Sequence, residues 1–348
     1  MQTVSIPSLV RIKPGVLDRV GIYLRREQIS RVALLVSAGP VEELLRRMQE
    51  GLQREAVDAV QTAMVAEASF EQAMRLFAEL PAGCQAIVGM GGGRALDTAK
   101  YVAFLAGLPY YAVPTSLSND GYCSPRSSLT LEGGRKSLAA RLPVGVLVDT
   151  EVCLHAPLPL WHSGVGDLIA KVTAILDWKL AFHERGVPVN DFAALLSDAT
   201  VSQFVSRPSR DLEGMRLLGT ALMLNGIAME IAGSSRPASG SEHLISHALD
   251  LLSPHPRLHG LQVGLATYLV SHLHQRETTR IATLLDTTHF WDSLRANPIP
   301  LADLKQALRL APTLKEDFFT ILSTRDCLPE METLLTTDPR LEGCVTSD

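Results

Sequence analysis

The sequence lacks the features that would tie it to a secreted, membrane-bound or nucleic-acid-binding protein. Its five cysteines, Cys84, Cys123, Cys153, Cys327 and Cys344, are odd in number and carry no C-x-x-C spacing. That excludes a disulfide frame and a thiolate metal site, and it fits a reducing cytoplasm. Positive charge is not in excess: the formal net charge is -5, so no nucleic-acid partner is expected, and an anionic ligand would have to be held by local groups. No apolar run approaches the ~20 residues of a membrane span. The start, Met1-Gln-Thr-Val-Ser-Ile-Pro7, has no basic segment leading into an apolar one. No internal repeat or low-complexity tract interrupts the chain. A cytoplasmic protein without membrane insertion is expected, and a homo-oligomer is compatible with this composition.

What is present is the composition of an ordinary enzyme, 46% hydrophobic and 20% charged over 348 residues. That length exceeds one comfortable core and implies two domains. Up to about residue 156, short aliphatic runs alternate with amphipathic ones. Val10–Lys13, Val32–Val36, Val60–Val65, Ala86–Met90, Tyr110–Val113 and Val144–Val148 read as strands; Leu17–Arg26, Val41–Gln53, Phe70–Leu80 and Arg94–Gly107 read as helices. Val32-Ala-Leu-Leu-Val36 is apolar throughout, as strands buried on both faces are. The alternation predicts an α/β domain with a Rossmann-like parallel sheet, and Glu132-Gly-Gly134 marks a hairpin inserted before the last strand. After Ala156-Pro-Leu-Pro159 nearly every periodic segment is helical: Asp167–His183, Asp191–Val205, Asp211–Ile231, Glu242–Leu252, Leu261–Gln275 and Leu301–Arg309. The expected division is therefore residues 1–156, α/β, and 157–348, all helical. Beyond Leu322 the chain is polar and weakly patterned, and Thr346-Ser-Asp348 is expected to fray.

Two groups of residues carry chemistry. His243 and His247, four apart on a helix-compatible run, share one helix face, and His259 returns after Ser253-Pro-His-Pro256. Asp167, in Ser163-Gly-Val-Gly-Asp167, supplies a carboxylate that the glycines would place in the first turn of a helix. Two imidazoles and one carboxylate make a three-ligand set with an open position, as catalytic metals use. Polar residues at helix ends give the same pattern without any metal. Upstream, Gly91, Gly92 and Gly93 lie between a buried strand and a helix, where backbone N–H groups and the helix dipole suit a pyrophosphate. Arg94 stands at the third-glycine position of the usual dinucleotide fingerprint, so that pattern is only half met. The next strand opens into a polar loop in which Thr115, Ser116 and Ser118 can donate to phosphate or ribose and Asp120 can accept from a hydroxyl. Turns alone also use such residues. Ser37-Ala-Gly-Pro40 follows the strand where an acidic residue might have selected NAD, so neither cofactor is excluded.

Gly91-Gly-Gly-Arg-Ala-Leu-Asp-Thr-Ala-Lys100, Val113-Pro-Thr-Ser-Leu-Ser-Asn-Asp-Gly-Tyr-Cys-Ser-Pro-Arg126, Gly166-Asp167, Asp177-Trp178, Arg236-Pro-Ala-Ser-Gly-Ser-Glu-His243 and Leu258-His-Gly260 together resemble the sn-glycerol-1-phosphate dehydrogenases, within the superfamily of dehydroquinate synthases and metal-dependent alcohol dehydrogenases. The resemblance runs from about Ile6 to Leu322. It implies a dehydroquinate synthase-like fold and one divalent metal on Asp167, His243 and His259, with zinc first and nickel or iron as alternatives. It implies NAD(H) or NADP(H) held by Gly91, Gly92, Gly93, Arg94, Asp97, Thr115, Ser116, Ser118 and Ser124. It further implies a small phosphorylated ketone or polyol contacted by Asp120, Asp167 and His247. Many relatives carry Lys where this chain has Arg94, and Lys315 and Phe318 stand where arginines are expected. Rival readings are a glycerol dehydrogenase, a cyclising lyase of the dehydroquinate synthase kind, an Fe(II) oxygenase and a non-catalytic NAD-binding regulator. The lyases carry Glu as first metal ligand where this chain has Asp167. An Fe(II) oxygenase would need no glycine loop, and a regulator would have no reason to keep a complete ligand set.

Overall fold

The computed structural model describes residues 4–39 and 41–346. Pro40 and the Ser347-Asp348 end lie outside them. The chain forms two compact units: Met1–Ala156 with Arg210–Glu230, and Pro157–Ser209 with Ile231–Asp348. The first stretch ends at Ala156. The segment Arg210–Glu230 nevertheless clusters with the α/β unit rather than with the helices around it in sequence.

The first unit runs β1 (Leu9–Lys13), α1 (Val20–Arg26), β2 (Arg31–Ser37), α2 (Glu42–Arg54), β3 (Asp58–Val65), α3 (Phe70–Ala78), β4 (Ala86–Gly91), α4 (Gly93–Ala106) and β5 (Tyr110–Pro114). The hairpin β6 (Arg126–Leu131) and β7 (Gly134–Ala139) follows, then β8 (Gly145–Asp149) and α5 (Thr150–His155). Six strands form one sheet in the order β1-β8-β5-β4-β2-β3, parallel at every pairing. Val32 to Val36 are fully buried because both faces of β2 are covered, which is why this strand reads as an unbroken apolar run. One side of the sheet packs Val32, Leu34, Val36, Val88 and Met90 against Tyr23 and Leu24 of α1 and Met48 and Leu52 of α2. From β2 the chain continues outward to β3, whereas from β4 it continues the other way, to β5. Neighbouring strands β2 and β4 thus flank a topological switch point, and their carboxyl ends are where such sheets bind ligands.

The second unit is built from α6 (Leu158–Arg185), α7 (Asp191–Val205), the last residues of α8 (Leu212–Ala232), α9 (Ser241–Leu252), α10 (His259–His274), α11 (Thr278–Thr287), α12 (Phe290–Ala296), β9 (Ile299–Pro300), α13 (Leu301–Leu310), α14 (Leu328–Thr337) and β10 (Val345–Thr346). Two expectations need correction. Asp167 is not in the first turn of a helix: α6 begins at Leu158, with Pro159 in its opening turn, and Gly164 and Gly166 lie inside it. The tail after Leu322 contains a helix, α14. The 21-residue α8 is long and apolar enough to cross a membrane, although 61% of its most apolar window is buried inside the protein. Its glycines explain that burial in the first unit. A Cβ at Gly226 would fall 1.6 Å from the carbonyl oxygen of Cys123, and the Tyr122 hydroxyl donates to the carbonyl of Gly219.

Candidate functional site

In the first unit, Gly91 ends β4, Gly92 precedes α4 as its cap, and Gly93 is the first residue of the helix. Gly91 has φ +132°, a conformation reserved for glycine, and a Cβ there would strike the Ser37 hydroxyl at 2.0 Å. Ser37 Oγ accepts the Gly92 N–H at 3.0 Å, so the end of β2 shapes the turn after β4 at the switch point. A Cβ on Gly92 or Gly93 would meet no protein atom within 4 Å. The turn is therefore open on the side where the α4 amino end presents its N–H groups, which suits an anionic phosphate. Thr115 follows β5, and its N–H donates to the Gly91 carbonyl at 3.1 Å, which fixes the second loop beside the first. Ser116 is buried, Ser118 half-buried, and Asp120 begins a short 3-10 turn.

Asp97 and Ser124 face a different neighbour. The buried Lys100 ammonium donates to Asp97 Oδ1 at 3.2 Å, to Ser124 Oγ at 3.3 Å and to the carbonyls of Gly121 and Arg126 at 2.6 Å each. Burial pushes the Asp97 carboxyl up against the pull of Lys100. This node ties α4 to the loop after β5 and holds the polar strip above the sheet in place.

In the second unit, Asp167, His243 and His259 meet: one ligand atom from each lies within 4.8 Å of the others. The cause is a close helix crossing. A Cβ on Gly166 would lie 2.0 Å from the Gly260 carbonyl oxygen, and one on Gly260 would lie 1.8 Å from that of Ser163. The backbones of α6 and α10 touch there, and the residues next in sequence are Asp167 and His259. Helix α9 brings His243 alongside, its ring centroid 5.2 Å from that of His259.

Each of the three side chains has its other polar atom occupied. Lys171, one turn along α6, donates to Asp167 Oδ2 at 3.3 Å and to the Ala238 carbonyl at 3.2 Å. Glu242 Oε1 lies 2.8 Å from His243 Nδ1, and Ser246 Oγ lies 3.2 Å from His259 Nδ1. What remains is Asp167 Oδ1 with the two Nε2 atoms, 3.4 and 3.8 Å away. Burial opposes ionisation of Asp167, but Lys171, His243 and His259 outweigh it and hold the carboxyl well below its usual range. Burial likewise opposes charging of His243, and the Asp167 and Glu242 carboxylates overcome it and raise that imidazole. Exposure is graded: the Asp167 side chain is 1% exposed, His243 9% and His259 30%, so the corner is closed behind and open at His259. His247 is exposed, its ring stacked at 6.1 Å from that of His259 and 6.3 Å from that of His243. It borders the corner and is not one of the converging three.

Residues 11–157 match the protein family described as iron-containing alcohol dehydrogenase. The glycerol-1-phosphate dehydrogenase [NAD(P)+] of Methanothermobacter thermautotrophicus is 35% identical over 327 residues, covering 92% of this chain and 94% of that protein. That of Aeropyrum pernix is 34% identical, with 92% and 93% covered. This chain belongs to the glycerol-1-phosphate dehydrogenase family. Its fold is shared with solved structures of lower identity. Glycerol dehydrogenase from Schizosaccharomyces pombe superposes with a TM-score of 0.78 at 18% identity over 99% of this chain and 91% of that one. Sulfoacetaldehyde reductase from Bifidobacterium kashiwanohense, solved with NAD+, gives 0.71 at 17% identity over 97% and 100%.

Several residues of this family member that shape the site escaped the sequence reading. Lys171 stands four after Asp167, an ion-pair spacing that was available to be read. Glu242 precedes His243 and is fully buried, which only the packing reveals. Ser37 was noticed for cofactor choice and not as a support of the glycine turn. Lys315 and Phe318, which stand where the resemblance led arginines to be expected, lie together: the Phe318 ring has the Lys315 ammonium 3.7 Å and the Arg236 guanidinium 3.8 Å from its centroid.

Proposed function

We propose that this protein is a metal-dependent, NAD(P)H-linked oxidoreductase that interconverts dihydroxyacetone phosphate and sn-glycerol 1-phosphate. The observation that carries the reading is the corner of Asp167, His243 and His259, whose ligand atoms converge within 4.8 Å of one another while the other polar atom of each side chain has a partner. Nitrogen and carboxylate donors of this kind suit zinc, and equally nickel or ferrous iron. Asp167, His243 and His259 would hold the ion, which supplies Lewis-acid polarisation of a carbonyl. The turn at Gly91, Gly92, Gly93 and Arg94, with the loop of Thr115, Ser116 and Ser118, would hold NAD(P)H, which supplies the hydride, and Asp97 and Ser124 would act from behind by anchoring Lys100 between α4 and that loop. One ketone, one NAD(P)H and one proton give one secondary alcohol and one NAD(P)+, so the reaction balances without a further reagent.

The chain's own residues do the rest. Lys171 keeps Asp167 ionised and oriented, and Glu242 and Ser246 keep Nε2 of each imidazole facing inward. His247, exposed beside the corner, donates a hydrogen bond to a substrate hydroxyl or phosphate oxygen, and Asp120 accepts from a substrate hydroxyl. The α/β unit is the cofactor-binding part and the helical unit the metal-binding part. Free, scattered cysteines favour a cytoplasmic location. The test is NADH and NADPH oxidation by zinc-reconstituted protein with dihydroxyacetone phosphate, followed by chiral analysis of the product. Turnover giving sn-glycerol 1-phosphate supports the reading. The sn-3 product, or a preference for unphosphorylated dihydroxyacetone, overturns it.

A further inference from the structure

Glu242 makes no contact that the reaction itself requires, yet it is fully buried and accepts three hydrogen bonds. Its Oε1 receives the Gly240 N–H at 2.6 Å and lies 2.8 Å from His243 Nδ1; its Oε2 receives the Thr173 hydroxyl at 2.9 Å. Thr173 sits on α6, less than two turns beyond Asp167, and Gly240 is the residue from which α9 starts. One carboxylate therefore joins the helix that carries Asp167 to the first turn of the helix that carries His243. Asp177, farther along α6, adds a parallel tie: Oδ2 accepts the Ser241 N–H at 2.7 Å, and Oδ1 lies 3.0 Å from His274 Nε2 and accepts the Ile321 N–H at 2.8 Å.

From this geometry we infer that Glu242 is a positioning residue for the metal corner. It holds the proton of His243 on Nδ1 and fixes the ring plane, so that Nε2 faces Asp167 Oδ1. The inference rests on the reading of His243 as a metal ligand. An imidazole fixed through its second nitrogen by a carboxylate binds metal more tightly, because its tautomer is already chosen and its basicity is raised. Asp177 sets where α9 begins, and Glu242 sets how the imidazole on it is turned. A carboxylate serving only the fold would leave metal affinity unchanged when replaced by an isostere that keeps an acceptor for Gly240.

Glu242→Gln is that isostere, since the Thr173 hydroxyl can rotate to accept from the new amide. Zinc affinity, measured by chelator competition, is expected to weaken by about 10-fold. Metal-free Tm and NADH affinity should stay near wild type. His243→Ala serves as the reference and should lose zinc far more strongly. Wild-type zinc affinity in Glu242→Gln, with zinc lost in His243→Ala, overturns the positioning role and leaves the ligand reading standing. Wild-type zinc affinity in His243→Ala overturns the ligand reading itself. A second measurement needs no variant: the long-range 1H–15N spectrum of the zinc-loaded wild-type protein should show a proton on His243 Nδ1. A proton on Nε2 instead would overturn the proposal even if Glu242→Gln failed to fold.

Discussion

Gly166→Ala adds one methyl group at the crossing of α6 and α10. Its carbon would arrive 2.0 Å from the Gly260 carbonyl oxygen and 2.9 Å from the Phe290 ring. The nearer atom is backbone and cannot swing aside. The two helices must therefore separate by at least about 1 Å before the contact reaches the closest approach a Cβ tolerates. Forcing extra carbon into a packed interior costs about 1–3 kcal/mol. Alanine gains about 1 kcal/mol over glycine in helix propensity, which offsets part of that. Net destabilisation of up to about 2 kcal/mol remains, or up to roughly 8 °C in Tm for a unit of this size.

The effect on the metal corner should exceed the effect on stability. Ligand geometry has to be held within about 0.5 Å, and Asp167 and His259 are the residues next to the colliding glycines. A separation of about 1 Å at the crossing carries these two ligands apart, so zinc affinity should fall by at least about 10-fold. Thermal unfolding of the metal-free protein and chelator competition for zinc, run on the same sample, read the two effects separately. Gly93→Ala is the control, since a Cβ there meets nothing within 4 Å, and its Tm should not fall. Unchanged zinc affinity in Gly166→Ala would refute the claim that the glycine crossing sets the distance between Asp167 and His259.

Other outcomes follow from the same geometry. Gly92→Val places a branched side chain where no protein atom lies within 4 Å, so the protein should fold normally while NADH affinity drops by at least about 10-fold; unchanged affinity by calorimetry removes the turn from the cofactor site. His247→Ala should keep stoichiometric zinc and near-normal NADH binding and lose about 10-fold or more in kcat/KM for the phosphorylated ketone; loss of zinc would make His247 a ligand, and wild-type kinetics would make it packing. Asp18 accepts from Arg47 at 2.7 and 3.0 Å, and that bond, only partly opposed by burial, holds its carboxyl below the ordinary 3.8. A lowered folded value means that the stabilisation is present above about pH 4 and is lost as pH falls through the folded value. The urea midpoint of Asp18→Asn should therefore lie below wild type at pH 7 and converge with it as pH falls below the folded value, and a gap independent of pH would refute the coupling.

The α/β unit was legible because its signals are local. Buried parallel strands read as unbroken apolar runs, and glycine marks the turn after β4, where Gly91 has a positive φ. Helix α7 was legible at both ends, and at its start Asn190 caps the helix by accepting the Ala193 N–H. Helices α11 and α12, which the sequence reading did not find, lack such signals. Glu277 and His289 precede α11 and α12 in left-handed conformation, at φ 61° and 56°, without a side-chain cap. Helix α14 is threonine-rich, and Thr333, Thr336 and Thr337 satisfy their hydroxyls on carbonyls three or four residues back, a solution that composition does not announce. The start of α6 was hidden by the glycines at 164 and 166. Glycine weakens a helix by propensity, and at Gly166 close contact with another backbone overrides that cost. Sequence shows the residue type and not the neighbour that requires it.

The same distinction separates the legible part of the site from the rest. The two histidines and the aspartate were readable as a donor set of the kind metals use, although polar residues at helix ends give the same pattern, and the resemblance to the family singled out these three. Their supports, Lys171, Glu242 and Ser246, become visible only when α6, α9 and α10 are packed. A buried Asp167 with Lys171 beside it is an expensive way to fill an interior: desolvation of such a pair is repaid only when geometry and hydrogen bonds are nearly complete, and an apolar filling of similar volume is often as stable. Here Lys171, Glu242 and Ser246 partner the polar atoms that point away from the side where Asp167 Oδ1 and the two Nε2 atoms face one another. Stability alone would favour closing that side or replacing the cluster with apolar groups. On the proposed reading the convergence of Asp167, His243 and His259 would serve a positive centre, and the graded exposure toward His259 would give a way in for what that centre acts upon.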